Sequence, residues 1–535
     1  MVERKVGRSR AAEVGAWMRR SVHELWPAAV LVLAVAAIAR WVDRTLFLPE
    51  SAYRSDILAW EIVSELFTSG LGLFGLVGIG AVAVVRTREL FTTWAGLTDH
   101  RGIRALALGV VGWATWAAVT FDHNLFYDQS FNVDRVLLVG LAGLVVWRPV
   151  FIIPFLFLFE AIEHQFDHPF GRQIFSRAIL EHLLVLLMAW LIVTAIIRRR
   201  EARTFVFVAS VLLASFYWYP GLVKLGRNWL FEGTPYLGGF AAFANEWLGS
   251  WPIEQVDALL EVGRFLDGPS RLFTLVSELG AVLFFAHRLA PRILLVSWAV
   301  LHAGIWVFSG VSFLVWIAVD FAFLGFLFLR RNPQLFTPAY ALAGAGLIIL
   351  SPIWLRPPGV GWFDTPLVYT YRYVAVDSAG NTGDFPQDAT PRGQAWCARD
   401  YPYVLTEPSL LVQFGKTNDA ELARRVAGLD GSLGALVALE EEIGEVHFDA
   451  AAATDLDRFL AETARNWNER HSWHHPLSWA APPATCLWPR SAREAPLDSG
   501  LPIEVIHVEQ LTYFYDGDTY EPVRRQRVRS VEVPG

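Results

Sequence analysis

Lys224 stands among aromatic residues in "FYWYPGLVKLGRNW", in a chain whose 45 basic residues include only two other lysines, Lys5 and Lys416. Both of those lie outside the hydrophobic body. Arginine snorkels from a helix end as well as lysine does, so a lysine kept against this bias points to chemistry that a guanidinium cannot do. An ammonium desolvated in an apolar pocket can give up its proton and then act as a base or nucleophile. The competing reading is plain snorkelling, with Trp218, Tyr219 and Trp229 as an interfacial aromatic belt. Two further ionisable groups stand mid-stretch in apolar sequence: Glu278 in "TLVSELGAVLFFAHR" and His302 in "VSWAVLHAGIWVFSG". An ionisable group at the centre of a membrane helix costs about 2.5–3.5 kcal/mol on insertion scales, which makes each a functional candidate. Otherwise Glu278 hydrogen-bonds a neighbouring helix and His302 is a satisfied core residue. Asp320, in "IAVDFAFL", belongs to the same class.

A second constellation lies in "FEAIEHQFDHPF". On a helix, Glu160, Glu163, His164, Asp167 and His168 share one face, and Glu181 and His182 open the next apolar stretch. Carboxylates and imidazoles at this spacing can hold a transition metal. The alternative is a solvated helix end, which Pro169 closes. In "ERHSWHHPLSW" the histidines 471, 474 and 475 have no carboxylate at ligand spacing, and a surface role is the better reading. His123, in "TFDHNLFYD", falls in an outer loop, where it either shapes a cavity mouth or, the better reading, is a plain loop residue. The chain has no Walker A sequence, G-x-S-x-G, CxxC or HExxH, and no basic stripe with interleaved aromatics to suggest nucleic acid.

These residues must be positioned by a hydrophobic body. Charged residues make up 18% of the chain and hydrophobic ones 54%, with mean hydropathy +0.36. Apolar blocks recur from Trp26 to Ile353, the pattern of a multi-pass membrane protein. Spans are expected at 26–41, 68–85, 103–120, 134–147, 149–162, 178–197, 203–219, 271–287, 291–309, 311–329 and 337–355, about eleven in all. Arginine-rich segments at 1–20, 86–104, 198–203, 288–292 and 330–331 alternate with acidic or neutral loops. Positive-inside bias then places the N-terminus in the cytoplasm of a cell with an inner membrane. The loop that begins at Lys224 and the chain beyond Pro357 fall on the outer side. Pro220-Gly221 is expected to break the helix just before Lys224, and 221–250 reads as a re-entrant segment. The organisation is therefore a basic N-terminus (1–25), N-terminal transmembrane helices (26–200), a transmembrane core (201–357) and an extracytoplasmic α+β domain (358–535).

That last domain alternates like strands in "PLVYTYRYVAVD" and in "IEVIHVEQLTYFYDGDTYEPVRRQRVRSVEV", where Asp516-Gly517-Asp518 signals a hairpin turn. "NDAELARRVAGL" and "AAATDLDRFLAETARNW" carry helical periodicity, with Asn418 and Thr454 as expected N-caps. The chain's two cysteines, Cys397 and Cys486, both fall here; outside the cytoplasm such a pair suggests a disulfide, with two free thiols as the alternative.

Taken together, "YPGLVKLGRNWLFEG", the helix of Glu278 and the helix of His302 resemble the vitamin-K-dependent γ-carboxylase-like family, whose bacterial members are the horizontally transferred transmembrane (HTTM) proteins. The resemblance covers about residues 204–330. In that family an aromatic–Gly–x–Lys–Leu stretch followed by a tryptophan ends a helix on the lumenal or extracytoplasmic side. The animal carboxylase uses this lysine to deprotonate reduced vitamin K. Oxygenation of the quinol then gives a strong base that takes the γ-proton of a glutamate side chain before CO2 adds. For this chain the resemblance implies catalytic roles for Lys224, Glu278 and His302. It also implies a reduced quinone, menaquinol or vitamin K hydroquinone, near Trp218, Tyr219 and Trp229, and a peptide or small-molecule substrate. Two other classes stay open at this point, a transporter and a non-catalytic export, immunity or docking partner, beside a membrane metalloenzyme built on the acid–histidine cluster. The oligomeric state is not legible.

Overall fold

The computed structural model describes residues 3–120, 125–165, 168–169, 178–246, 248, 251–310, 313–329, 333–385, 404–410, 415–470, 476–480 and 497–534. Cys397, Cys486, His123, Asp167 and the histidines 471, 474 and 475 lie outside these residues. The protein is mostly helical, with a small sheet near its C-terminus. The first half comprises α1 (Glu3–Leu46), α2 (Leu58–Thr68), α3 (Gly70–Val85), the single turns α4 (Thr87–Leu90) and α5 (Trp94–Leu97), α6 (Arg101–Thr120), α7 (Asn132–Trp147), α8 (Ile152–His164) and α9 (Ala178–Ile197). The second half of the body comprises α10 (Ala202–Gly226), α11 (Trp229–Glu232), α12 (Leu237–Ala244), α13 (Ile253–Leu279), α14 (Ala290–Ser309), α15 (Leu314–Ala322), α16 (Pro338–Ile349) and α17 (Ser351–Trp354).

Among the described residues five helices are long and apolar enough to cross a membrane: Glu13–Leu46, Arg101–Thr120, Ala178–Ile197, Ala202–Gly226 and Ala290–Ser309. There are six if α2 and α3, bent by 90° at Ser69, count as one. The expectation of about eleven spans is not supported. Summed hydropathy passes over helix breaks that the sequence also contains. The two elements expected at 134–147 and 149–162 are separate, as α7 and α8, but at 16 and 13 residues they reach only about 24 and 20 Å against a hydrocarbon core of about 30 Å. Pro352 divides 337–355 into α16 and α17. The span expected at 271–287 is the last third of α13, whose earlier turns carry Glu254, Asp257, Glu261, Arg264 and Asp267, followed by a 3-10 turn at Gly280–Leu283.

The helices are sorted by charge. Arg199 lies over the Trp26 ring, 5.4 Å from its centroid, and Arg203 over Tyr340 at 5.3 Å. Arg198 reaches Glu89 at 3.4 Å, Arg200 donates to the Gly96 carbonyl and Arg148 to that of Phe91. One end of the bundle thus collects arginines from 86–104, 148 and 198–203. The opposite end holds the last turn of α1, the start of α9 and the last turn of α10, and there the C-terminal domain docks. At this end Asp134, fully buried, accepts from the backbone N–H groups of Leu58 (3.0 Å) and Ala59 (2.8 Å) at the start of α2. The adjacent Arg135 donates to the carbonyls of Ala118 (3.1 Å) and Val119 (2.9 Å) at the end of α6. Two neighbouring charges therefore satisfy one helix start and one helix end, each with the sign the helix dipole favours. The five apolar helices are consistent with membrane localisation.

The C-terminal domain bears out the strand and helix expectations. Strands β1 (Phe363–Asp364), β2 (Leu367–Asp377), β3 (Thr382–Asp384), β4 (Lys416–Thr417), β5 (Ile503–Phe514) and β6 (Pro522–Glu532) form an antiparallel sheet of order β3-β2-β5-β6 beside the short pair β1-β4. The β5–β6 connection turns on Asp516, whose Oδ1 accepts from the N–H groups of Asp518 (3.0 Å) and Thr519 (2.8 Å) while Gly517 takes φ 118°. The expected N-caps shift. Asp419, rather than Asn418, caps Ala420–Ala427 by accepting from Glu421 and Leu422. Asp449, rather than Thr454, accepts from Ala451 and Ala452 at the start of Ala450–Arg470, and Thr454 bonds back to the Ala450 carbonyl inside the helix. A carboxylate outcompetes an amide and a hydroxyl where the helix dipole adds to the hydrogen bond.

The domain is tied to the helical body at several places. Arg458 grips Glu50 through both carboxylate oxygens (2.5 and 2.9 Å), Arg54 reaches Glu462 at 2.6 Å, and Phe459 packs on Phe126 with centroids 5.4 Å apart. On the other side Tyr515 packs on Phe240 of α12 at 4.9 Å and Tyr520 donates to Asp257. The segment 221–250, expected to be re-entrant, forms the last turn of α10 and two short helices in its described part. Leu237, Phe240 and Phe243 of α12 share a core with Val368, Tyr513, Tyr515 and Tyr520 of the sheet domain.

Candidate functional site

Helix α10 runs unbroken from Ala202 to Gly226 and carries Pro220 inside it, so Lys224 sits in its last turn and does not follow a break. Proline deletes one backbone donor, but the surrounding turns hold the helix. Gly221 has a different role from the one expected. A Cβ there would lie 2.8 Å from the Cβ of Glu278 and 3.2 Å from the Leu279 nitrogen, so its missing side chain is what lets α13 touch α10. Tyr217, Gly221 and Lys224 follow i, i+4, i+7 and form one stripe of α10 facing α13 and α14.

Two polar clusters lie along this stripe. In the first, Lys224 Nζ donates to Glu278 Oε1 at 2.5 Å, and the two side chains keep only 11% and 6% of their surface exposed. The ammonium stands 5.7 Å from the centroid of the Trp229 ring, whose Nε1 donates to the Trp362 carbonyl at 3.0 Å. In the second, the Tyr217 hydroxyl donates to Asp320 Oδ2 at 2.8 Å and lies 3.2 Å from His302 Nδ1. Tyr217 stacks on Trp298 at 3.9 Å, His302 on Phe313 at 4.7 Å, and Trp298 Nε1 donates to the Ser277 carbonyl, one residue from Glu278. Two carboxylate oxygens, Glu278 Oε2 and Asp320 Oδ1, are buried with no hydrogen-bond partner among the described residues. Such acceptors are costly unless a donor reaches them.

The structure thus brings Lys224 to Glu278, and His302 to Asp320 through Tyr217. Of the three expected quinone-binding aromatics, Trp229 adjoins Lys224. Trp218 packs against the core of the helical body, and Tyr219 lies against Gly359. Sequence reasoning missed Tyr217, which sits inside the quoted stretch but reads as one more belt aromatic. It also missed Lys416, expected outside the hydrophobic body. Lys416 is part-buried, donates to Asp364 Oδ1 and lies 5.7 Å from the Trp362 ring. Burial pushes the Asp364 carboxyl above its ordinary range, with the Lys416 ammonium pulling the other way. The segment carrying Trp362 and Asp364 covers the Lys224 region: Gly361 approaches Lys224 so closely that a Cβ there would meet its backbone nitrogen at 3.3 Å. The lysine's neighbourhood is therefore shared with the C-terminal domain. Lysine scarcity, the signal used for Lys224, applied equally to Lys416.

The acid–histidine constellation is not a solvated helix end. Glu160, Glu163 and His164 are buried at 3, 5 and 4% exposure. His164 Nδ1 lies 3.0 Å from the Leu46 carbonyl and His168 Nε2 3.1 Å from that of Leu48. Burial holds the His168 imidazole below its ordinary value. The ligand atoms of Glu160, His164 and Glu181 lie within 4.8 Å of one another, whereas His182 bonds back to the Ala178 carbonyl at 2.6 Å and packs on Phe216.

Comparison with known proteins adds no relative: no family model matches the chain, and no curated protein or solved structure matches it significantly.

Proposed function

We propose that the protein is a membrane enzyme that uses Lys224 and Glu278 as an acid–base pair on a reduced quinone, in the manner its resemblance to the γ-carboxylase-like family implies. The observation that carries this reading is the 2.5 Å contact between a buried ammonium and a buried carboxylate, beside a second carboxylate oxygen left without a donor. A short Lys–Glu contact lets one proton sit on either atom. With the proton on Glu278, the Lys224 amine is a base.

The residues present suit a quinol. Glu278 Oε2 and Asp320 Oδ1 are acceptors for hydroxyl donors, and Trp229 supplies an aromatic face next to Lys224. Outside the pair, Leu225, Phe231 and Val276 are 55, 76 and 63% exposed, an apolar flank suited to approach from lipid. When bound, a reduced naphthoquinone supplies an acidic hydroxyl and two reducing equivalents. Lys224 Nζ accepts the proton, Glu278 orients and discharges the amine, and Trp229 with the 361–364 segment excludes water. Tyr217, His302 and Asp320 form a second proton path two turns along α10. A peptide or small substrate would arrive from the C-terminal domain, which closes this end of the site. The arginines of 86–104, 148 and 198–203, which gather at the opposite end, support an extracytoplasmic position for the site and for that domain in an inner membrane.

The test is binding of menaquinol to protein in lipid nanodiscs, followed by tryptophan fluorescence. Wild type should show saturable quenching, weakened at least about tenfold by Glu278→Gln together with Trp229→Leu. Quenching equal in both proteins would reject the site.

A further inference from the structure

The strongest group outside this site is the buried trio at the junction of α8 and α9. We propose that Glu160, His164 and Glu181 bind a divalent transition cation of the zinc or manganese class. One carboxylate and the imidazole come from the last turn of α8, i and i+4 on one face, and the second carboxylate from the first turn of α9. Their ligand atoms all fall within 4.8 Å of one another. Ligands bound at zinc distances stand about 3.4 Å apart in tetrahedral geometry, so small side-chain movements close the set.

A separate observation concerns the imidazole. His164 Nδ1 is directed at the Leu46 carbonyl, 3.0 Å away, which fixes it as the protonated nitrogen because a carbonyl can only accept. Nε2 is thereby turned toward Glu160, with 3.7 Å between Nε2 and Oε2. That is longer than a hydrogen bond, and a neutral Nε2 presents a lone pair to a carboxylate. Facing lone pairs of this kind can share a cation, a proton or a metal ion. Nδ1–H held by a backbone carbonyl is also how proteins orient metal-ligating histidines. The mixed nitrogen and oxygen set favours a transition ion over calcium or magnesium. Three protein ligands leave a coordination position open. The ion joins the last turn of α8 to the first turn of α9 beside the end of α1, apart from Lys224, so the proposal stands independently of the quinol reading.

The test uses the full chain purified in detergent. Metal content is measured by mass spectrometry after dialysis against chelator and reloading with Zn2+, and thermal stability is followed with and without Zn2+. About one equivalent per chain is expected in wild type, with a higher melting temperature when Zn2+ is present. His164→Asn keeps an N–H donor for the Leu46 carbonyl and removes the Nε2 ligand; Glu181→Gln removes a ligand without touching that bond. Each should fall below about 0.2 equivalents and lose the zinc-dependent stabilisation. Less than about 0.1 equivalents in wild type, or undiminished zinc in either variant, overturns the site and leaves a protonated imidazole as the shared cation. Should His164→Asn fail to fold, Glu181→Gln alone decides.

Discussion

Separating Lys224 from Glu278 should be far more damaging than removing both. The two side chains are 11 and 6% exposed, so the pair belongs with buried ion pairs and not with surface ones worth at most about 1 kcal/mol. Glu278→Leu leaves an ammonium with no counter-charge inside the bundle, and Lys224→Met leaves a carboxylate. Each should cost about 3–5 kcal/mol. The double variant Lys224→Met/Glu278→Leu removes both charges at similar volume and should come within about 1 kcal/mol of wild type. The coupling in the cycle is then at least about 5 kcal/mol, well above the error of a few tenths for independent sites. The assay is reversible unfolding in mixed detergent–SDS micelles, read by tryptophan fluorescence. Should the single losses simply add in the double variant, the two groups do not interact, and Lys224 is a snorkelling residue. Catalysis separates from stability in the same set, because the stable double variant should be inactive toward menaquinol.

Gly221→Ala should cost about 1–3 kcal/mol and lower menaquinol turnover, since its Cβ would meet Glu278 Cβ at 2.8 Å; unchanged turnover in a folded variant would show that α10–α13 contact does not set the site. Tyr217→Phe should cost about 1–3 kcal/mol by removing the donor to Asp320, whose other oxygen already lacks one. Thermal unfolding checks this, and a neutral result would place Asp320 on a different partner. The Arg458–Glu50 clamp predicts acid release of the C-terminal domain. Its hydrogen bond with Arg458 holds the Glu50 carboxyl below its ordinary 4.5. A depressed acid stabilises the docked state above the free value and loses that contribution as pH falls through the docked one, so release belongs on the acid side of the ordinary 4.5. Hydrogen exchange at Leu125–Tyr127 across that range should rise in wild type and be already raised in Arg458→Ala; flat exchange in both would exclude the clamp.

Much of the C-terminal domain was legible because β2, β5 and their turn residues follow local rules: alternation, an Asp-Gly turn and helical periodicity between them. Span counting failed for a physical reason. Hydropathy averages over a window, whereas Pro352 and the charged first half of α13 end or divert helices at single residues. The site was half legible. Lysine scarcity found Lys224, and membrane insertion cost found Glu278, His302 and Asp320. Their grouping depended on side-chain approach between α10, α13, α14 and α15. Tyr217 carries no charge to mark it in an aromatic run. Gly221 was visible, but as a helix breaker; its use as a gap for α13 belongs to tertiary packing. The placement of Lys416 beside Trp362 depends on how the C-terminal domain folds back over α10, which no local pattern encodes.

The central claim, that the Lys224 amine takes a proton from a reduced quinone, is tested most directly by Lys224→Arg. Arginine keeps the charge and the ion pair with Glu278 but cannot serve as a base. With the protein in nanodiscs and menaquinol supplied anaerobically before an oxygen pulse, wild type should oxidise the quinol. Lys224→Arg should lose at least about a hundredfold in kcat while its menaquinol Kd changes little. Equal rates in the two proteins, or no turnover by wild type above protein-free nanodiscs, would contradict the account.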